Sequence, residues 1–525
     1  MVPSMGGFTE LNGAKSTPPR VRSILIVGGG AAAWLAAATL ARLLKPSFCT
    51  IRVVASAHKA EAPFNTEPPF SEVALPSFHR LNALLGIDEP DLVRRTQATF
   101  RLGSRFSDWG RRGESYFHTS GPIGAKLDAV PFHQHWLRLR QAAACADIED
   151  YSIATVAAKQ GRFAVPVADR RSVLSLYSYG YHFDALRFAD YLSQYACAHG
   201  VARMPQRLVD VEFRADDGFI EALRMDDGSA LRADLYIDCR GGESLLSRRD
   251  AAASHEDWSR WFPCDGSVGV LCERAGEVTS YADVHALQQG WGWRIPLKES
   301  IDCGQAYSRE YLSDDAALAS LMETLPGKAS TEPRRWRLSA GRPTHFWDKN
   351  CLQLAPPGFD ALEATSLHLV QTGITRFFSL YPVRILSPDD MEEYNRLTRI
   401  EYERIRDFLI LHYKATTRGD SPFWLHCRQM DIPDTLRTKI ELFQRCGRIG
   451  MRDDEHFGED SWLTVFLGQG VQPRAYDPLA EGVDQDRACD ALAHLRSLIN
   501  AGAATLPTLG QFMDGYCSTE RKGYP

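Results

Sequence analysis

Three stretches of this chain carry residue types at spacings that could do chemistry. Gly28-Gly29-Gly30-Ala31-Ala32-Ala33 reads as G-x-G-x-x-(G/A). That pattern puts Gly28 at a tight turn, Gly30 where backbone can approach a pyrophosphate, and Ala33 where a helix packs on a strand. The same turn also serves in βαβ units that bind no nucleotide. In Trp291-Gly-Trp-Arg-Ile295-Pro296 two indoles stand two residues apart. On an extended segment they project to one side, where they either wall an apolar passage or fill a core. Glu363, in Leu362-Glu-Ala-Thr-Ser, offers a carboxylate suited to accepting a proton, or else begins an ordinary helix. His182 and His412 have no carboxylate or second histidine at ligand spacing, and the 12 cysteines include no C-x-x-C pair. No metal site is expected, and the histidines read as hydrogen-bonding residues.

These groups need elements to hold them. Ser23–Val27 is an apolar strand run, residues 31–44 are rich in good helix formers, Pro46 stops them, and residues 51–55 form a second strand. Strand, glycine turn, helix and strand make a βαβ unit and imply a parallel sheet, with the helix N-terminus turned to phosphate. The second strand should end in an acid for the ribose hydroxyls, but Ala55 stands there, followed by Ser56. A helix is expected over 181–200 and a β-meander over 207–213, 218–224 and 231–238. Residues 377–381, Phe-Phe-Ser-Leu-Tyr, read as core.

The organisation that follows is a lead-in over 1–21, an α/β body over 22–390 with a β-rich layer near 205–355, and a helical part over 391–525. With 44% hydrophobic and 24% charged residues, the 525-residue chain has the composition of a soluble globular protein. A net charge of −6 argues against nucleic-acid binding. No apolar run approaches the roughly 18–20 residues of a membrane span, and the first 20 residues lack the apolar region of a signal peptide. Scattered cysteines fit free thiols in a reducing cytoplasm.

Trp291-Gly-Trp-Arg-Ile-Pro296 matches W-x-W-x-I-P, and further blocks accompany it: Ala98-Thr-Phe-Arg-Leu-Gly-Ser-Arg-Phe-Ser-Asp-Trp109, Tyr181-His-Phe-Asp-Ala185, Ala233-Asp-Leu-Tyr-Ile-Asp-Cys239, Arg406-Asp-Phe-Leu-Ile-Leu-His-Tyr413 and Gly468-Gln-Gly470. Together they resemble the flavin-dependent tryptophan-halogenase family over roughly residues 22–480. The resemblance implies an FAD-binding, glutathione-reductase-like Rossmann core of the flavin-monooxygenase type. It also implies FADH2 from a separate flavin reductase, O2, halide and a small aromatic or indole-like substrate. In that frame Gly28, Gly30, Ala31, Ala33 and Glu72 belong to the flavin, and Trp291, Trp293, Ile295 and Pro296 to a tunnel. Thr365 and Ser366 contact halide, and Glu363 is the active-site carboxylate.

The same frame exposes departures. Arg101 aligns with the family's catalytic lysine; a guanidinium stays protonated and cannot form a haloamine as a lysine can. The flavin strap reads Pro69-Phe70-Ser71-Glu72, without its two glycines. The segment 353–359 is shortened, and Arg240-Gly-Gly replaces the usual residues after the acidic-cysteine strand. Three readings remain: a halogenase-type oxidoreductase, a halogenase-fold protein without flavin turnover that serves as a binding or partner subunit, and a flavin monooxygenase. Weak FAD binding, little halogenation of free tryptophan, and a surviving pocket beside Trp291, Trp293 and Glu363 are expected. So is a hydrogen-bond donor, a cationic ligand or a proton for the buried Glu363 carboxylate, and the chain is a candidate homodimer.

Overall fold

The structure is a computed structural model that describes residues 21–54, 69–142, 145–240, 246, 255–354, 361–381, 386–452 and 455–517. Strand β1 (Ser23–Val27) leads through the glycine turn into helix α1 (Ala31–Leu43) and strand β2 (Thr50–Val54). β1 pairs in parallel with β2, Ile24 opposite Ile51, and on its other side with Leu235–Asp238. Four of its five residues are buried, as befits a strand covered on both faces. Cys351–Gln353 and Ala202–Met204 extend this sheet, and Trp347–Asp348 closes one edge antiparallel, for six strands.

The next strands are β3 (Ser71–Ala74), β4 (Thr99–Arg101), β5 (Gly103–Ser107), β6 (Ser115–Thr119) and β7 (Gly180–Asp184). β7 runs between β3 and β4 in a small antiparallel sheet. Residues 181–184 are therefore strand rather than helix. Helix α2 (Ala185–Ala198) follows directly, and the Asp184 carboxylate at its start accepts the Arg187 N–H at 2.9 Å. Phe183, which supplied part of the helical spacing, is instead buried in the sheet, as is Tyr181.

A larger sheet carries β8 (Tyr281–Ala286), β9 (Gly290–Pro296) and β10 (Ser300–Tyr307). Its order is Arg334–Arg337, Gly266–Glu273, β10, β9, β8, β5, β6, so the β-rich layer also recruits strands from residues 103–119. The expected meander keeps only Leu208–Phe213, Ile220–Met225 and Ala230–Leu231. Leu235–Asp238 leaves it for the central sheet because all four of its residues are buried, whereas a meander strand needs one wet face.

Helix α3 (Ser366–Ser379) and the 27-residue helix α4 (Pro388–Lys414) open the helical region. α4 starts at Pro388, before the expected 391, with Asp389 and Asp390 in its first turn. In the stretch read as core Phe377 is buried, but Phe378 is 38% exposed. All 12 cysteines are free. Among the described residues no helix is long and apolar enough to cross a membrane, and no cluster of three or more metal-ligating side chains exists.

Candidate active site

The two indoles of β9 line a cavity of about 130 Å³ rather than packing solidly. This approaches the roughly 150 Å³ that accepts a benzene ring in a protein core. Trp291 and Trp293 share one face of the strand, their ring centroids 5.6 Å apart. Trp291 is buried, and its N–H donates to the Tyr413 hydroxyl at 2.9 Å. Ile295 also lines the cavity. Pro296 acts through its backbone carbonyl, which accepts the Thr99 hydroxyl at 2.7 Å and so holds β4 beside β9.

Arg101, at the end of β4, and Glu72, in β3, open on the same space. Arg101 is 3% exposed; one terminal nitrogen donates to Ser104 Oγ at 3.0 Å, and its Nε–H has no partner among the described residues. Burial lowers its pKa while the nearby charge of Glu363 opposes that shift. Burial pushes the Glu72 carboxyl up to about 7. Its side chain still carries accessible surface, which it presents to the cavity it lines. Phe70 of the altered strap is buried edge-on to Trp336, with the Arg334 guanidinium 4.2 Å above its ring. The Phe70 ring is thus packed away from the cavity, while Pro69 and Ser71, which stand where the strap has glycines, line it.

Glu363 is 1% exposed and ends a short 3-10 helix, outside the α-helix that follows. Ala364 follows in the left-handed region (φ 55°), a strained conformation for alanine, before α3 starts at Ser366. The carboxylate lies between two imidazoles. His118 Nδ1 donates to Oε1 at 2.8 Å, meeting the expectation of a donor, and His412 Nε2 lies 3.0 Å from the same oxygen. The His412 contact is close but out of line for a hydrogen bond. His412 Nδ1 donates to the Phe408 carbonyl at 3.1 Å, which fixes the ring. Oε2 has no partner among the described residues. Burial raises the pKa of this carboxyl, but the two imidazoles outweigh it and hold the group well below the usual carboxylate range.

Thr365 is buried at the start of α3, and its side chain does not cap the helix. Ser366 and Ala364 face the cavity. The first-turn N–H groups and dipole of α3 therefore stand beside it, a setting that favours an anion.

The glycine turn lies apart from this cavity. Gly28 has φ +147°, and a Cβ there would come within 3.1 Å of the Cys239 carbonyl oxygen. Gly30 caps α1 with no side-chain bond and no acid in the first turn, and a Cβ on it would meet nothing within 4 Å. Ala31 and Ala33 are buried against the sheet. Uncapped helical N–H groups facing open space fit a dinucleotide diphosphate. Ala55, the Ala355–Phe359 part of the shortened segment, and Gly241-Gly242 lie outside the described residues.

Sequence reading missed His118, His412 in this role, and Asp302. Asp302 on β10 is 3% exposed and lines the cavity, and burial pushes its carboxyl up to about 6. Its signal was a lone acid in an otherwise uncharged run, Ile301-Asp-Cys-Gly-Gln-Ala-Tyr307, just after the Trp-x-Trp segment. The histidines carried no local signal, because their partner is more than 200 residues away for His118 and on a different element for His412.

A family model described as tryptophan halogenase matches residues 23–485. Tryptophan 7-halogenase KtzQ of Kutzneria sp. is 26% identical, over 94% of this chain and 98% of its own. Among solved structures, BrvH, a flavin-dependent halogenase from Brevundimonas sp. BAL3, is 38% identical with a TM-score of 0.89, covering 95% of this chain and all of that one. Xcc4156, a flavin-dependent halogenase from Xanthomonas campestris, is 36% identical with the same TM-score, over 95% of this chain and 99% of its own. With the motif blocks, the glycine turn and these likenesses together, the chain belongs to the flavin-dependent tryptophan halogenase family.

Proposed function

We propose that this protein halogenates a small aromatic or indole-like substrate, using halide, O2 and FADH2 delivered by a separate reductase. The observation that carries this reading is one indole-walled cavity shared by Arg101, Glu72 and the start of α3, with the ionised Glu363 close by. When bound, reduced flavin and oxygen supply the oxidising equivalent that makes halide electrophilic. Gly28, Gly30, Ala31 and Ala33 would hold the diphosphate, and Glu72 the strap side. The N-terminus of α3, at Thr365 and Ser366, would hold halide.

The chain's own groups do the rest. Trp291, Trp293 and Ile295 exclude water from the passage, and Pro296 anchors β4. Arg101 stays protonated, so its free Nε–H can orient hypohalous acid by hydrogen bonding but forms no nitrogen–halogen bond. Glu363, held ionised, stabilises positive charge on the attacked ring, and with His118 Nδ1 against its oxygen it takes the departing ring proton. Loss of the lysine makes free tryptophan a poor substrate in this reading.

Arg101 favours one alternative, a binding or partner subunit without flavin turnover. The open cavity speaks against it, because Pro69 and Ser71, at the strap's glycine positions, line the space without filling it. A cytoplasmic location and a homodimer belong to the proposed reading, supported in the first case by 12 free thiols. The deciding experiment is mass spectrometry of reactions with a flavin reductase, bromide or chloride, and a panel of indoles, phenols and pyrroles. A halogenated product that disappears in Glu363→Gln is expected. No product from any arene, with no FAD binding, would overturn the reading in favour of the binding subunit.

A further inference from the structure

Asp302 joins two parts of the cavity that belong to different sheets. Its Oδ2 accepts the Ser71 hydroxyl at 2.5 Å, and its Oδ1 accepts the Trp293 indole N–H at 3.3 Å. Trp293 reaches it because the residue facing the indole on β10 is Gly304, where a Cβ would collide with the ring. The indole therefore lies across the glycine toward position 302, two residues away on the same face. Ser71 belongs to β3, immediately before Glu72, and pairs there with β7 rather than with β10.

We infer that Asp302 is a positioning residue that sets the Trp293 indole on the cavity wall and couples it, through Ser71, to the strap. A carboxylate accepts at both oxygens, so it can hold a hydroxyl and an indole N–H at once. Asparagine could still accept from the indole and donate to the Ser71 oxygen, keeping the geometry without the charge. Alanine would leave two buried donors unmatched. The charged form is the better acceptor for the indole N–H, so the hold on Trp293 should follow the ionisation of Asp302. Burial raises that ionisation to about 6 against the opposing pull of Ser71, Trp293 and Arg334. The other titratable groups facing this region are Glu72 on β3, Arg101 on β4, and the Cys272 and Cys303 thiols. Only the coupling to the strap depends on the proposed flavin site; the hold on Trp293 does not.

The test uses full-length protein labelled with 5-fluorotryptophan, the Trp293 fluorine resonance being identified by its loss in Trp293→Phe. In the wild type it should move with pH with a midpoint near 6. In Asp302→Asn, whose neutral amide oxygen still accepts but cannot ionise, it should keep one position at every pH, and in Asp302→Ala it should shift and broaden at every pH. A wild-type resonance that does not titrate, or one that titrates alike in Asp302→Asn, overturns the positioning role without any need for a variant to be active. Adding FAD, with binding followed separately by flavin fluorescence, should displace the resonance in the wild type and by less than half as much in Ser71→Ala. FAD that binds without moving it, or moves it equally in Ser71→Ala, overturns the coupling. FAD that does not bind refutes the flavin reading and the coupling with it, while the pH titration still decides the positioning role.

Discussion

The glycine turn and the cavity are two sites built on opposite plans. The turn is made by backbone within residues 23–54, and its requirement is the absence of side chains: φ +147° at Gly28, open space at Gly30. The cavity is made by side chains from β3, β4, β5, β8, β9, β10 and the start of α3, converging from residues 69 to 366. Among the acids that line the cavity or lie beside it, burial acts alike and partners decide the outcome. Glu72 and Asp302, with no imidazole beside them, are pushed up to about 7 and about 6. Glu363, between two imidazoles, is pushed down although it is more deeply buried than either. A backbone site is thus broken by adding one atom, and a side-chain site by removing one charge.

The sharpest way to break this contrast is Glu363→Gln. Product formation should fall by about 100-fold or more, the usual scale for losing a positioned acid–base group. In the wild type the folded pKa of Glu363 is depressed. Its stabilising contribution is therefore present above the unfolded value of 4.5 and is lost only as pH falls below the ordinary carboxylate range. Melting curves of the variant and the wild type should converge only under strongly acidic conditions.

Next in size is Gly304→Ala, which should drive the Trp293 ring aside and cost about 1–3 kcal/mol as overpacking. A Trp293 fluorine resonance left unchanged would contradict it. Glu72→Gln should act in the opposite pH sense to Glu363→Gln. The folded Glu72 pKa is raised from 4.5 to about 7, so wild-type stability falls as pH rises across that window. The variant should gain on the order of 2 kcal/mol at pH 8 and nothing at pH 4, by thermal melts at the two pH values. Gly28→Ala should cost about 1 kcal/mol in stability for a strained φ and weaken FAD in a fluorescence titration, leaving the cavity's aromatic ligands untouched. The smallest effect expected is a gain: Arg101→Lys restores a nitrogen able to lose its proton, and trace halogenation of tryptophan should become detectable by mass spectrometry.

Local patterns in the sequence determined the parts that local physics controls. The apolar run Ser23–Val27, the glycines and the alanine-rich helix are continuous in sequence, and they form the expected βαβ unit, α1 ending within one residue of its expected end. The Trp-x-Trp segment is a strand with both indoles on one face because the two-residue period allows nothing else. The motif blocks were also enough to identify the family. Local patterning failed where burial by distant segments outvoted it. Residues 181–184 became strand because β3 and β4 pair on either side of them, and Leu235–Asp238 left its hairpin neighbours for β1 and Cys351–Gln353. Only the tertiary structure decided that His118 and His412 flank Glu363, that Phe70 turns outward, and that Asp302 meets both Ser71 and Trp293. A pKa depends on charges and water within a few ångströms, and for these residues the neighbours that set it are supplied by segments tens to hundreds of positions away.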